Sequence, residues 1–308
     1  MKILVTGGAG FIGSHVVDAY LGEGYQVVVV DNLSSGNRAN VDPAATFYEL
    51  DIRSPEFQEV LIRERPEVVN HHAAQIDVRR SVADPLYDAS INVMGSIALL
   101  EGCRKAGVRK VIYSSSGGAM YGEPDYLPCD ETHPVRPLSP YGATKHSVEH
   151  YLFMYRENFG LSYTVLRYPN VYGPRQDPLG EAGVIAIFTE RMLRGEPVTI
   201  NGSGEQERDF IYVEDCVSAN LLALQGGDGR EYNLGWGIGI TVNQVFHSLK
   251  EIIGYPLDAI HGPAKTGETF RIYLDTARIR AELNWTPRVP LEEGLERTVR
   301  FFKGSNDR

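Results

Sequence analysis

Seven residues near the start, Gly7-Gly8-Ala9-Gly10-Phe11-Ile12-Gly13, constrain what this chain can fold into more than any other feature. They stand between Lys2–Val5, a short apolar run that reads as a strand, and Phe11–Leu21, whose spacing suits a helix. Glycines at 7, 10 and 13 permit a tight turn, close approach of main chain to a pyrophosphate, and close packing of the helix on the strand. The helix then opens with free N–H groups facing such an anion. A glycine pattern alone is weak, since a turn without a ligand also uses glycine. In a strand–turn–helix setting it predicts a dinucleotide site.

The next strand supports that reading. Gln26–Val30 is β-branched and ends at Asp31, roughly 20 residues beyond the glycines, where an acid accepts hydrogen bonds from the adenosine ribose hydroxyls. Its charge repels a 2′-phosphate, so NAD is expected over NADP, and Arg38 is placed to soften that preference. Asp51-Ile52 follows another strand, either flanking the adenine or forming an ordinary strand end. Further strands are expected at Val68–His71, Lys110–Ser114 and Ser162–Arg167, with helices over Pro55–Glu64, Asp88–Lys105 and Tyr141–Phe159. Near-continuous Val/Ile strands separated by helices imply a doubly wound parallel sheet of Rossmann type, covered on both faces. After Arg167 the composition shifts to loops rich in Gly and Pro. The expected division is an NAD-binding domain over 1–167, to which a segment near 210–235 returns, and a smaller C-terminal α/β lobe over 168–308.

Composition removes several functions. The net charge of −10 argues against broad contact with nucleic acid or anionic membrane. No apolar run approaches the ~20 residues of a membrane span. Cys103, Cys129 and Cys216 lie far apart with no metal-ligand spacing. Neither zinc nor a disulfide framework is expected, and a reducing compartment, the cytoplasm, fits best.

A second constellation carries chemistry. Tyr141-Gly142-Ala143-Thr144-Lys145 opens a helix, with Tyr141 and Lys145 four residues apart on one face. An ammonium beside a phenol favours the phenolate, so Tyr141 is expected to have a lowered pKa and to act as a base. Ser114-Ser115-Ser116 follows a strand and offers a hydroxyl to the same reacting oxygen, with Ser116 preferred over Ser115. A lone YxxxK is usually solvated helix surface; here it lies downstream of the glycine turn and the serines.

Taken together, the chain resembles the extended short-chain dehydrogenase/reductases, and among them the UDP-glucose 4-epimerases. The resemblance runs nearly end to end, through GGAGFIGS at 7–14, DNLSSG at 31–36, HHAAQIDVRRS at 71–81 and YSSSGGAMYG at 113–122. It continues through YGATK at 141–145, LRYPNVYGPR at 166–175 and RDFIYVEDC at 208–216. It implies NAD contacts from Asp31, Asn32, Leu33, Ser34, Ser35 and Gly36, then Asp51, Ile52, His72, Ala73, Ala74, Gln75, Ile76, Asn92, Lys145 and Pro169, with Ser116 and Tyr141 as the catalytic hydroxyls. It also implies a UDP-sugar substrate whose diphosphate meets Asn170 and Arg208. Gly183, Val184 and Ile185, with Val198, Thr199 and Ile200, would line the uracil through main-chain groups. Relatives often carry an arginine before a Gly-acid pair near the C-terminal strand; this chain has Lys265-Thr266-Gly267-Glu268 there. Lysine keeps the charge but loses bidentate recognition of phosphate, so either Lys265 or Arg271 holds the second phosphate.

The implied reaction is inversion at C4 of a UDP-linked sugar through a transient 4-keto form, with UDP-glucose and UDP-galactose as the expected pair. The rivals are a UDP-uronate epimerase or decarboxylase, a nucleotide-sugar 4,6-dehydratase and a non-catalytic NAD-binding regulator. Dehydratases that this chain resembles carry an Asp-Glu pair after the catalytic hydroxyl, whereas this chain has Gly117-Gly118. The regulator would have lost Tyr141, Lys145 or the serines. Relatives also pair through two helices, which makes a homodimer the expectation. Its contact stripes are Ile91, Met94, Ala98 and Leu99 with Val148, Tyr151, Leu152 and Tyr155, unless these faces pack on the parent sheet.

Overall fold

The computed structural model describes residues 1–178, 183–264 and 269–306. Six strands follow one another through the first half: β1 (Lys2–Thr6), β2 (Gln26–Asp31), β3 (Thr46–Glu49), β4 (Val68–His71), β5 (Lys110–Ser116) and β6 (Ser162–Tyr168). With Arg230–Asn233 they form one seven-stranded sheet, ordered Arg230–Asn233, β6, β5, β4, β1, β2, β3. Every pairing in it is parallel, with Ile3 opposite both Val27 and Val68. The order reverses between β1 and β4, which opens a crevice at the carboxyl ends of those two strands.

The apolar strands bury both faces. On β1 and β2, Ile3, Val5, Val27 and Val29 enter one core, with the helices Phe11–Gly22 and Val213–Ala223. Leu4, Val28 and Val30 enter the other, with the helices Pro55–Glu64, Ser96–Ala106 and Pro140–Phe159. Alternation on a strand and burial on both faces together produce the near-continuous Val/Ile runs.

The helix Pro140–Phe159 is started by its sequence. The Ser139 hydroxyl accepts from the Gly142 N–H at 3.2 Å, and Pro140 occupies the first turn. Gly160, at φ 71°, ends it. The segment Pro85–Ala106, expected as one helix from Asp88, starts three residues earlier and widens to a π-helix over Ser90–Gly95 before resuming at Ser96. Beyond β6, the short strand Asn170–Tyr172 pairs with Phe210–Tyr212. A separate core of Ile185, Phe188, Val198, Ile200, Phe246 and Leu249 fills the C-terminal lobe.

Candidate active site

The glycine turn is set by the main chain. Gly7, at φ 69°, donates to Val30 O at 2.9 Å, and the Gly10 N–H donates back to Gly7 O at 3.1 Å. A Cβ on Gly7 would lie 2.6 Å from the Ala73 N, and one on Gly13 would overlap the Gly7 carbonyl oxygen. Phe11 and Ile12 then open the first helix, which has no side-chain cap and no acid in its first turn. Its leading N–H groups therefore face the crevice unneutralised, as a pyrophosphate requires.

Asp31 is buried beside this turn. One carboxylate oxygen accepts the Ala9 N–H at 3.0 Å and the other accepts that of Leu33 at 2.8 Å. Burial pushes its pKa up, while these two bonds pull it down. The loop beyond is locally braced: Asn32 accepts from the Ser34 N–H at 3.1 Å and donates to Asp51 at 3.2 Å, and Gly36 packs against Asp31. Ser35 is exposed. The two-pronged Arg53 pair, at 2.9 and 2.7 Å, holds Asp51 near a pKa of about 2, and Ile52 is buried behind it. Arg38 lies 4.4 Å over the Phe47 ring and donates to Val41 O at 3.2 Å.

The carboxyl end of β4 supplies the opposite wall. His71 joins Thr6 at 2.7 Å to Ser96 at 2.9 Å. His72 stacks on Tyr168, and burial drives its pKa down to about 3, leaving it neutral. Its buried Nε2 has no hydrogen-bond partner among the described residues. Ala73 and Ala74 are half-buried, Gln75 is buried and Ile76 is exposed. The Gln75 N–H donates to Asn92 Oδ1 at 2.8 Å, and Asn92 Nδ2 returns a bond to Gln75 O at 3.0 Å. Asn92 thus braces this loop. A cradle closed to side chains, an uncapped helix start, a buried carboxylate and an orphaned imidazole nitrogen together fit a bound NAD.

At the end of β5, strand alternation separates the serines. Ser115 donates to Glu149 at 2.6 Å inside the buried Glu149–Arg167 pair. Ser116 stands beside the Tyr141 hydroxyl and favours its ionised form. Ser116, not Ser115, therefore shares a site with Tyr141. Lys145 is buried on the same helix and donates to Ser114 O at 2.7 Å, with its Nζ 4.9 Å from the Tyr113 ring centroid.

The electrostatics depart from the expected lowering of the Tyr141 pKa. Burial pushes Tyr141 up to about 12; Ser116 pulls it down and the charge of Asp88 pushes it further up. Burial likewise lowers Lys145 to about 8, opposed by Asp88 and Glu149. The ammonium is spent on a main-chain carbonyl, and loss of water outweighs the pairing that spacing alone suggests. Nothing local in the sequence singles out Asp88, two of whose three hydrogen-bond donors, Gln75 and Thr144, lie 13 and 56 residues away.

The second lobe begins beyond Pro169, the residue after Tyr168, which lies opposite Ser116 in the sheet. Asn170 donates its N–H to Asp209 O at 3.0 Å, and its side chain lies beside Gly118. Arg208 is half-buried, with Nη1 donating to Glu207 O at 2.9 Å and Phe270 O at 3.3 Å. Arg271 pairs with the same Glu207 at 3.4 Å. Gly183 precedes the helix Val184–Leu193, in which Ile185 is buried and Val184 half-buried. Val198 and Ile200 are buried, main chain included, and only Thr199 between them is exposed, so the structure does not bring main-chain groups of Val198 and Ile200 to the surface. Lys265 and Glu268 lie outside the described residues.

The expected dimer stripes divide. Leu99, Val148, Leu152 and Tyr155 are buried in the sheet core and Tyr151 packs against it. Of the residues expected to face a partner, Met94 stays largely exposed at 62%, and Ile91 and Ala98 are half-buried. Helical residues that face the parent sheet carry the same apolar period as residues that face a partner, so spacing merged the two.

Comparison with known proteins gives this geometry a family. Residues 3–235 match the NAD dependent epimerase/dehydratase family. A putative UDP-glucose 4-epimerase of Methanocaldococcus jannaschii is 48% identical over 304 residues, covering 99% of each chain. A crystal structure of UDP-glucose 4-epimerase with UDP-glucose from Thermotoga maritima is 53% identical, with a TM-score of 0.98 over 99% of this chain and 100% of that one. The Thermus thermophilus UDP-glucose 4-epimerase complexed with NAD is 44% identical, with a TM-score of 0.95 over the same shares of the two chains. This chain, with its glycine cradle and its Ser116–Tyr141 pair, belongs to the NAD dependent epimerase/dehydratase family.

Proposed function

We propose that the protein is an NAD-dependent UDP-sugar 4-epimerase acting on UDP-glucose and UDP-galactose. The observation that carries this reading is the closeness of Ser116, at the end of β5, to the hydroxyl of Tyr141, which shares its helix with the buried Lys145. NAD, when bound, supplies the hydride acceptor and donor and a positive charge beside the phenol. Tyr141 takes the proton of the sugar 4-hydroxyl and later returns it, while Ser116 hydrogen-bonds the same oxygen. The charge that arrives with the cofactor opposes the burial that holds Tyr141 up, so the base is activated only in the loaded enzyme. Gly7, Gly10, Gly13, Asp31 and the 72–76 loop hold the cofactor. Asn170, Arg208 and either Lys265 or Arg271 hold the diphosphate, so that the keto sugar turns over without leaving. Residues 1–167 with the returning strand Arg230–Asn233 thus serve NAD, and 168–308 mainly serves UDP.

Gly117 and Gly118 offer no carboxylate beside Ser116, which disfavours dehydration across C5 and C6. Incubation with UDP-galactose and no added cofactor should yield UDP-glucose. A dehydrated product, or none, would overturn the assignment.

A second copy of this chain is the expected partner. Leu86, Met94 and Phe153 are 82%, 62% and 54% exposed on the helices Pro85–Ala89 and Pro140–Phe159 and the π-helical segment, which pack side by side. No helix among the described residues is long and apolar enough to cross a membrane. Light scattering should give twice the 34.2 kDa chain mass and Phe153→Glu should halve it; wild type at the single-chain mass would refute the dimer. The buried free thiols Cys103, Cys129 and Cys216 suit a reducing compartment, and we place the enzyme in the cytoplasm.

A further inference from the structure

Asp88 has no exposed surface, and no charged side chain among the described residues forms an ion pair with it at contact distance. A buried carboxylate is costly unless hydrogen bonds satisfy it. Its Oδ1 accepts Gln75 Nε2 at 2.8 Å and Asn92 Nδ2 at 3.1 Å, and its Oδ2 accepts the Thr144 hydroxyl at 2.7 Å. These three donors come from three segments. Gln75 belongs to the loop after β4, and its side chain also braces Asp77 through Nε2 to Asp77 O at 2.9 Å. Asn92 belongs to the π-helical stretch and closes the paired bonds with the Gln75 main chain. Thr144 lies on the catalytic helix, one residue before Lys145 and three after Tyr141. The widened turn at Ser90–Gly95 lies between Asp88 and the regular helix that follows, and π turns of this kind recur at functional sites.

We infer that Asp88 is a positioning residue that locks the cofactor-facing loop 72–76 to the turn of the catalytic helix carrying Tyr141 and Lys145. The inference rests on the epimerase reading for the roles of those two side chains, and on geometry alone for the lock. One carboxylate suits the task because it accepts from three donors at once, which no neutral side chain of its size does. It also places a negative charge near Lys145. Lys145 is faced by Asp88 from the helix before the π turn, by Glu149 from its own helix, by His71 and His72 from the end of β4, and by Tyr113 from β5. Only Asp88 and Glu149 are anionic, and Glu149 is already committed to Arg167 and Ser115. Asp88 is the counter-charge that helps Lys145 keep its proton.

Three variants separate lock from charge. Thr144→Val cuts the arm to the catalytic helix, together with the longer Asn92 Nδ2 bond to the same hydroxyl at 3.3 Å; kcat should fall about tenfold, with KM and NAD affinity within twofold of wild type. Asp88→Ala cuts all three arms; NAD affinity should fall by about tenfold as well, the size expected when hydrogen-bonded groups in one network are orphaned. Asp88→Asn keeps the shape and two acceptor bonds but removes the charge. Lys145 should then lose its proton earlier, and the alkaline limb of the kcat profile should move to lower pH. A purely structural Asp88 would lower Tm in all three variants while leaving kcat, NAD affinity and the alkaline limb of the folded enzyme unchanged, and that result would overturn the inference. The NAD titration needs no sugar. Wild type inert on every UDP-sugar would remove the epimerase reading, and unchanged NAD affinity in Asp88→Ala would remove the lock.

Discussion

The cofactor end and the substrate rim of this crevice are built by different means. At the cofactor end the shape is fixed by main chain: Gly7 and Gly13 close on each other and on Ala73, and Asp31 is held by two backbone N–H groups. At the rim the guanidinium groups are already engaged. Arg208 lies on the Glu207 and Phe270 carbonyls, and Arg271 on the Glu207 carboxylate. A main-chain cradle costs little to reorganise when a ligand arrives, whereas a paired cation must exchange one partner for another. The difference suits the chemistry. A cofactor that serves every turnover gains from a fixed seat, and a sugar nucleotide that enters and leaves gains from exchangeable contacts.

The contrast can be broken at three places. The largest effect is expected at the seam, where Tyr141→Phe should leave NAD affinity unchanged and lower kcat by about 100- to 10,000-fold. A variant within threefold of wild type would remove Tyr141 as the base. At the rim, Arg208→Ala should weaken UDP binding, measured by calorimetry without the sugar, by about 2–5 kcal/mol if the guanidinium meets a desolvated diphosphate. NAD affinity should barely move. An unchanged UDP affinity would show that Arg208 stays on its two carbonyls and that the diphosphate binds elsewhere. The smallest effect concerns the cofactor seat. Asp31 should make NADP bind at least about tenfold more weakly than NAD, as one modest like-charge contact demands. Equal affinities would mean that Arg38 leaves the Phe47 ring to meet the 2′-phosphate.

Much of the cofactor half was legible because its signals are local. The glycines, Asp31 and the strand Val68–His71 sit where their residue pattern predicts, since turn geometry and a β-branched run act over a few residues. Strand β5 ran two residues further than expected, to Ser116, and that extension is what turns Ser115 inward and leaves Ser116 for Tyr141. Spacing alone could not reveal the rest. Asp88 satisfies itself across 13 and 56 residues of chain, so nothing beside it marks its role. The Tyr141 pKa depends on how much water the fold removes, which a YxxxK pattern does not contain. Val148, Leu152 and Tyr155 carry an apolar period that fits a partner as well as a sheet, and only packing assigns them to the sheet.

In the proposed mechanism, hydride leaves C4 of the sugar and returns to the same carbon from the other side. The sharpest measurement uses UDP-galactose carrying deuterium at C4, incubated with the enzyme in ordinary water, and a parallel run of unlabelled substrate in heavy water. The expected outcome is UDP-glucose with the label still on C4 in the first run and no deuterium on carbon in the second. Loss of the label to solvent, or uptake of solvent deuterium at any ring carbon, would refute the mechanism.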